Sequence, residues 1–378
     1  MIQRIIIQNI QNDLFKGKAI IITGPRQAGK TTLLEELKAS NKMEAIWLNC
    51  DESDIRLLLE DATSTRLKEI IGDNKLVFID EAQRVKNIGL TLKLLVDNFK
   101  TVQVIATGSS ALELANEVNE PLTGRKWEYH LYPIATEEML LHTSKLEEGR
   151  LLLQRLIYGF YPDIINHPAK AQSALMELSN DYLYKDLLSL ESIRKPALLE
   201  KILTALAFQV GNEVSISELS RTISADHKTI EHYIQLLEKC FIIFQLGAFS
   251  RNLRNEIKKG RKIYFYDNGI RNAIIKNFNP IGLRQDIGAL WENYLMSERR
   301  KMNSYSRRFV NSYFWRTHAQ QEIDLIEESG GVIHAREFKW NEKAKVKFPE
   351  SFAKAYPEST FSSIDKINYM DFVAVQNR

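Results

Sequence analysis

The chain has 378 residues, 44% of them hydrophobic and 26% charged, with a net charge of +3. That length is more than one hydrophobic core accommodates, so two or three domains are expected, and the near-neutral balance excludes a polybasic chain: any nucleic-acid surface must come from local clustering. The two cysteines, Cys50 and Cys240, lack metal-ligand spacing, the first residues lack a signal-peptide layout, and no segment is long and apolar enough to span a bilayer. The expectation is a cytoplasmic protein with no membrane partner.

The first fifteen residues pattern as an amphipathic helix with Ile2, Ile6, Ile10 and Leu14 on one stripe, packing beside the first strand. Ala19-Ile20-Ile21-Ile22 has strand length and β-branched content. It leads into Gly24-Pro25-Arg26-Gln27-Ala28-Gly29-Lys30-Thr31, the G-x-x-x-x-G-K-[ST] phosphate loop, and then Thr32-Leu33-Leu34-Glu35-Glu36-Leu37, whose leucines share a helical face. Strand, glycine loop and helix together predict a site for ATP. Backbone N–H groups of the loop and the helix N-terminus would cradle phosphate, Lys30 would reach the β- and γ-phosphates, and the Thr31 hydroxyl would ligate Mg²⁺. The bland alternative is a glycine-rich turn that binds nothing.

Ala45 to Cys50 reads as a second strand, ending in the polar Asp51-Glu52, and residues 55–71 read as a helix. Leu76-Val77-Phe78-Ile79 suits a strand buried on both faces of a parallel sheet. The carboxylates at its carboxyl end, Asp80 and Glu81, sit where such sheets bind ligands. Asp80 would complete the Mg²⁺ shell and Glu81 would act as base for the attacking water. A further strand, Val102 to Ala106, ends in Thr107-Gly108-Ser109-Ser110. Thr107 and Ser109 are candidates to sense the γ-phosphate, while a helix cap by Ser109 or Ser110 explains the same residues.

The stretches GPRQAGKTTLL, LVFIDEAQ, VIATGSSA and LTGRKWEYHLYP, in this order, resemble the AAA-type ATPases widespread in bacteria and archaea, whose C-terminal half carries no assigned function. The resemblance implies a contact from Arg125, in Leu122-Thr123-Gly124-Arg125, to the γ-phosphate or to a neighbouring subunit of a homo-oligomer; the alternative is a surface salt bridge. The predicted fold class is α/β: a P-loop NTPase parallel sheet over residues 1–150, followed by a helical connector (151–196), a winged-helix module (197–267) and a small α/β nuclease-like domain (268–378).

Within the connector, Leu151-Leu152-Leu153, Leu156 and Ile157 are core-like, and Tyr158-Gly159-Phe160-Tyr161-Pro162 breaks the helix. Tyr182 to Leu187 resembles a family signature, although packing explains the pattern. The winged-helix reading starts from Leu198–Val210, a helix with Leu199, Ile202, Leu203 and Leu206 inward. A short strand follows at Glu213–Ile216, then a helix from Glu218 to Ile223 capped by Ser217. The next helix, Asp226–Cys240, would bury Ile230, Tyr233, Ile234, Leu236 and Leu237 and expose His227, Lys228 and Glu231. Strands Phe241–Leu246 and Lys262–Tyr266 flank a wing, residues 251–262, with six basic residues against one acid. That wing would touch the phosphates of DNA; a solvated hairpin that docks a protein partner is the alternative.

The last segment opens on a helix from Ala289 through Lys301. Three strand-like stretches follow, Tyr313–Arg316, Glu322–Glu328 and Val332–Lys339, and the remainder reads as lysine-rich helix. The series resembles the restriction-endonuclease-like PD-(D/E)xK fold. Ser329-Gly330-Gly331-Val332 predicts a two-residue hairpin turn. Pairing Ser329 with Val332 places Asp324 opposite Glu337, Cβ atoms about 5 Å apart. Glu337 and Lys339 share a face. Asp324, Glu337 and Glu292 are thereby expected to hold Mg²⁺, with Lys339 stabilising charge during phosphodiester cleavage; an ordinary charged hairpin face is the alternative.

Overall fold

The computed structural model describes residues 2–108, 121–181, 195–250, 260–317 and 319–375. Two compact units divide the chain, with the break at Pro133–Ile134. The elements expected as separate modules after residue 196 share a single sheet in the second unit.

The first unit contains α1 (Ile6–Asp13), β1 (Ala19–Thr23), α2 (Lys30–Ser40), β2 (Ala45–Asn49), α3 (Ser53–Leu59), α4 (Ser64–Ile71), β3 (Leu76–Asp80), α5 (Ile88–Asn98), β4 (Gln103–Gly108) and β5 (Lys126–His130). Its strands form a five-stranded sheet in the order β2-β3-β4-β1-β5, and every pairing is parallel. The apolar runs explain this: β1 and β3 are buried along their whole length, as central strands of a sheet covered on both faces must be. Leu33, Leu34 and Leu37 turn the inner face of α2 to the core, and Ile79, Leu48, Leu92 and Val104 pack in one cluster.

One expectation changes here. The single helix over 55–71 is two, because Asp61 takes a left-handed conformation (φ 48°) and Thr63 caps α4 by accepting from Arg66 N–H. The helix α1 is fastened to the edge strand β5, where the Tyr129 hydroxyl donates to Asp13 Oδ2 at 2.6 Å and lies 2.9 Å from the Asn9 carbonyl.

The second unit begins with α6 (Thr136–His142), α7 (Lys145–Tyr158), α8 (Pro162–Asn166) and α9 (Ala171–Asp181). Next come α10 (Pro196–Phe208), β6 (Glu213–Val214), α11 (Ile216–Ile223), α12 (His227–Lys239), β7 (Ile243–Ala248), β8 (Arg261–Phe265) and α13 (Asn268–Ile274). The chain finishes with α14 (Ile287–Tyr305), β9 (Asn311–Arg316), β10 (Glu322–Ser329), β11 (Val332–Phe338), α15 (Glu350–Ala355), β12 (Thr360–Ile364) and α16 (Tyr369–Val373). The seven strands run in the order β12-β11-β10-β9-β7-β8-β6. Ser329 pairs with Val332 and Leu325 with Arg336, the expected hairpin register. The α11 cap is Ser215, not Ser217: its side chain accepts from Glu218 N–H. The tail after residue 340 contains a strand, β12, which pairs parallel to β11.

Asp267 holds the turn that leaves α7. Its carboxylate accepts from the N–H groups of Phe160 (2.7 Å), Gly269 (2.8 Å) and Ile270 (3.2 Å), capping α13 and the α7–α8 connection at once. Gly159 (φ +70°) leaves the space for it, since a Cβ there would lie 2.0 Å from Asp267 Oδ1. Gly159→Ala is therefore expected to destabilise the protein by about 3 kcal/mol or more, from positive-φ strain together with loss of a buried cap. Urea unfolding would show a lower midpoint, and Asp267→Ala should show a drop of similar size.

Candidate functional site

Parallel strands bring their carboxyl ends to one edge, and β1 lies at the point where the connections diverge to either side. The loop Gly24–Gly29 leaves β1 at that edge and passes directly into α2. Gln27 (φ 56°) and Gly29 (φ 96°) curl the backbone, and the first turn of α2 directs its unpaired N–H groups into the loop. Lys30 is buried with Nζ 3.0 Å from the carbonyls of Gly24 and Pro25. Its ammonium could serve a phosphate held by the loop.

Asp80 organises the opposite wall. Its Oδ2 accepts from the Thr31 hydroxyl at 2.9 Å. Its Oδ1 accepts from the Thr107 hydroxyl and from Glu81 N–H, the latter at 3.2 Å. Thr107 Oγ1 also accepts from Glu81 N–H at 3.1 Å. Thr107 thus joins the ends of β3 and β4 through Asp80 and Glu81, and it is fully buried. Glu81 takes the left-handed conformation (φ 53°, ψ 42°), and its Oε2 accepts from Gln83 Nε2 at 2.6 Å. The adjacent Cys50 is an inert buried thiol, pushed up to about 12 by burial and by the Asp80 charge.

The donor set fits a magnesium nucleotide. Thr31 and Asp80 supply a hydroxyl and a carboxylate to a hard cation, and Lys30 with the loop N–H groups supplies positive charge to phosphate. Arg26, Gln27, Ala28 and Thr32 belong to the loop and first helical turn as expected. Ser109 lies outside the described residues. For Arg125 the structure shows the salt bridge named as its alternative. This residue precedes β5 at the amino-terminal edge of the sheet, its carbonyl accepting from Ala19 N–H at 2.9 Å, one strand length from the loop. Its Nε donates to Asp97 Oδ1 at 2.8 Å, a pairing that holds the Asp97 carboxyl below its usual range. Arg125 therefore cannot reach a phosphate in the loop of its own chain.

Sequence reading missed the residues that brace the loop. Arg4, just before α1, is buried; Nη1 donates to the Ala28 carbonyl at 2.8 Å and Nη2 to the Tyr132 carbonyl at 2.6 Å. One guanidinium so ties the phosphate loop to the segment leaving β5. On the other side Gly24 lies against Leu131, where a Cβ would come within 2.1 Å of the carbonyl oxygen. Thr23 Oγ1 shares a hydrogen bond with His130 Nδ1 at 2.7 Å. Nothing in the local pattern of Gln3-Arg4-Ile5 marks such a residue, because its partners are more than twenty residues away.

In the second unit two of the expected carboxylates, Glu292 and Asp324, lie around a lysine together with Glu322. Lys262 Nζ lies 3.0 Å from Glu292 Oε1, 2.5 Å from Glu322 Oε1 and 3.9 Å from Asp324 Oδ1. Glu337 Oε1 pairs with Lys339 Nζ at 2.6 Å. Burial, then the charges of Glu292 and Glu337, push the Asp324 carboxyl well above its ordinary range. Among the described residues no group of three or more His, Cys, Asp or Glu side chains is arranged to hold a metal ion. The expected metal set of Glu292, Asp324 and Glu337 is thus not assembled as one, and Lys339 neutralises Glu337. Lys262, expected on an exposed wing, is only 2% exposed. Lys258 and Lys259 lie outside the described residues.

The comparisons with known proteins agree with the first site. Residues 16–140 match the AAA domain family. Residues 149–281 and 287–367 match two domains of unknown function, DUF8612 and DUF4143. An uncharacterized protein of Mycobacterium tuberculosis is 25% identical over 336 residues, covering 87% of this chain and 72% of its own length. An uncharacterized protein of Methanocaldococcus jannaschii is 27% identical over 309 residues, covering 70% and 63%. A Walker-type ATPase of Pyrococcus abyssi aligns at 14% identity and TM-score 0.49, covering 73% of this chain and 96% of that one. Residues 16–140 thus resemble an AAA domain and lie in an α/β unit with a five-stranded parallel sheet. Among the described residues no helix is long and apolar enough to cross a membrane.

Arg4→Ala is expected to raise KM for ATP by about tenfold, the effect of losing charge-assisted hydrogen bonds to the loop backbone, with a smaller change in kcat. Steady-state ATPase assays would reveal it; equal KM values in the variant and the wild type would deny Arg4 this role.

Proposed function

We propose that this protein binds ATP with Mg²⁺, hydrolyses it, and uses the cycle to act on nucleic acid through its second unit. The observation that carries the hydrolysis is the hydrogen-bonded set Thr31–Asp80–Thr107–Glu81 facing Lys30. Lys30 and the loop N–H groups bind and neutralise the phosphates. Thr31 and Asp80 would hold Mg²⁺, which supplies charge neutralisation across the β- and γ-phosphates when bound. Glu81, steadied by Gln83, takes the proton of the attacking water. Lys30→Ala is expected to abolish ATP binding, and Glu81→Gln to keep binding while losing turnover by about 10²-fold or more. Unimpaired hydrolysis in both would end the assignment.

The nucleic-acid part rests on α10–β8, whose helix–strand–helix–helix–strand–strand order supports a winged-helix reading. The acids that would oppose a phosphate backbone are engaged within the module. Asp226 caps α12 by accepting from Thr229 N–H at 2.9 Å. Glu231 pairs with Arg261 at 3.4 Å, and Glu238 accepts from Gln245 N–H and Nε2 at 3.0 and 2.7 Å. His227, Lys228, His232 and Gln235 remain on the exposed face of α12, with Arg221 exposed on α11. The nuclease-like reading of residues 268–378 is retained for the arrangement of elements; strand cleavage is not proposed, because Lys262 occupies the carboxylates. Substituting Arg221, Lys228, Lys258 and Lys259 with Ala should weaken DNA binding and flatten its salt dependence, each lost phosphate contact lowering the slope by roughly 0.9. An unchanged slope would instead favour docking of a protein partner.

A further inference from the structure

The cluster around Lys262 is built to keep its lysine. Lys262 lies within β8, a strand paired on both sides: opposite Glu213 of β6 and Leu246 of β7. Its ammonium sits 5.6 Å from the Phe314 ring centroid. Burial opposes its charge, but the carboxylates of Glu292, Asp324 and Glu322 outweigh burial and hold it above the ordinary lysine range. The other acceptor positions are engaged as well. The Tyr264 hydroxyl donates to Glu292 Oε1 at 2.6 Å, and Phe338 N–H donates to Asp324 Oδ2 at 2.7 Å. An ammonium has three donors, and three carboxylates surround this one.

We propose that Lys262 is the built-in cation of this cluster: its ammonium stands where a divalent ion would otherwise balance Glu292, Glu322 and Asp324, so the second unit takes no metal there while Lys262 is present. This inference is independent of ATP hydrolysis and of nucleic-acid contact by α12. Buried carboxylates this close to one another require a positive charge among them. A divalent ion meets that need with oxygen ligands at about 2.0–2.6 Å on several sides. Here the same oxygens are already turned to Nζ, and an ion placed among them would meet the ammonium at close range. Two neighbouring strands fix the β8 backbone, so Nζ can leave the cluster only by rotation of its own buried stem.

The full-length, nucleotide-free protein titrated with Mn²⁺, with free Mn²⁺ followed by electron paramagnetic resonance, tests this. Wild type and Asp324→Asn should give the same titration. Lys262→Ala should bind one additional Mn²⁺, about tenfold or more tighter than anything in the wild type, through the oxygens released. Adding Asp324→Asn to Lys262→Ala should remove it. A wild-type Mn²⁺ site lost in Asp324→Asn would overturn the proposal, as would a folded Lys262→Ala that gains no ion. Lys262→Met keeps the stem volume without the charge and provides the same comparison if the alanine variant does not fold. If neither folds, the wild type against Asp324→Asn decides: equal titrations uphold a lysine indispensable to a metal-free cluster, and unequal ones reject it.

Discussion

A carboxylate at the end of a buried strand has to be given partners, and both units of this protein are organised by how that need is met. Leaving an ionised group unpaired in the interior costs several kcal/mol, more than most single contacts return. Asp80, at the end of β3, is met by two hydroxyls and a backbone N–H. These are neutral donors, so the net negative charge persists and remains available to a hard cation. Asp324, on β10, is met by a backbone N–H and lies near an ammonium. There burial and the charges of Glu292 and Glu337 outweigh the ammonium and push the carboxyl well above its ordinary range. Two aspartates, one at the carboxyl end of β3 and one near the amino end of β10, thus differ in their partners: neutral donors alone in the first case, a backbone N–H with an ammonium nearby in the second.

The bracing of the phosphate loop shows a second use of the same economy. Gly24 lies too close to Leu131 for any side chain, and Arg4 draws Ala28 and Tyr132 together through two carbonyls. The loop thus has its shape before a nucleotide arrives, and less ordering is left for binding to drive. Arg4 stands outside the motif but acts on its backbone. The cradle is as much a product of the β5 exit as of its own glycines.

Much of this was legible in the sequence because it depends on short-range patterns. β1, β3 and β4 announce themselves by apolar runs, the loop by its spacing, and the β10–β11 register by Gly330-Gly331. β5 and β12 were missed for a physical reason. Lys126-Trp127-Glu128-Tyr129-His130 and Thr360-Phe361-Ser362-Ser363-Ile364 are edge strands, half-exposed and polar, without a two-sided apolar signature. The place of Lys262 is hidden for a different reason: its sequence neighbours are basic, so it reads as part of a basic wing. Only the pairing of β8 with β6 and β7 shows that it points inward. Arg4 gives no local signal, since its worth lies in tertiary partners.

The two-residue turn at Gly330-Gly331 also sets a counting rule for comparing this chain with its relatives. Side chains alternate faces along β10 and β11, so adding or deleting one residue between Asp324 and Glu337 would put the two carboxylates on opposite faces even if both letters were retained. A relative that aligns an aspartate and a glutamate across a hairpin longer or shorter by one has lost the cluster unless a bulge restores the phase. Turn length is thus a better marker of shared chemistry in this region than the identity of the acids themselves.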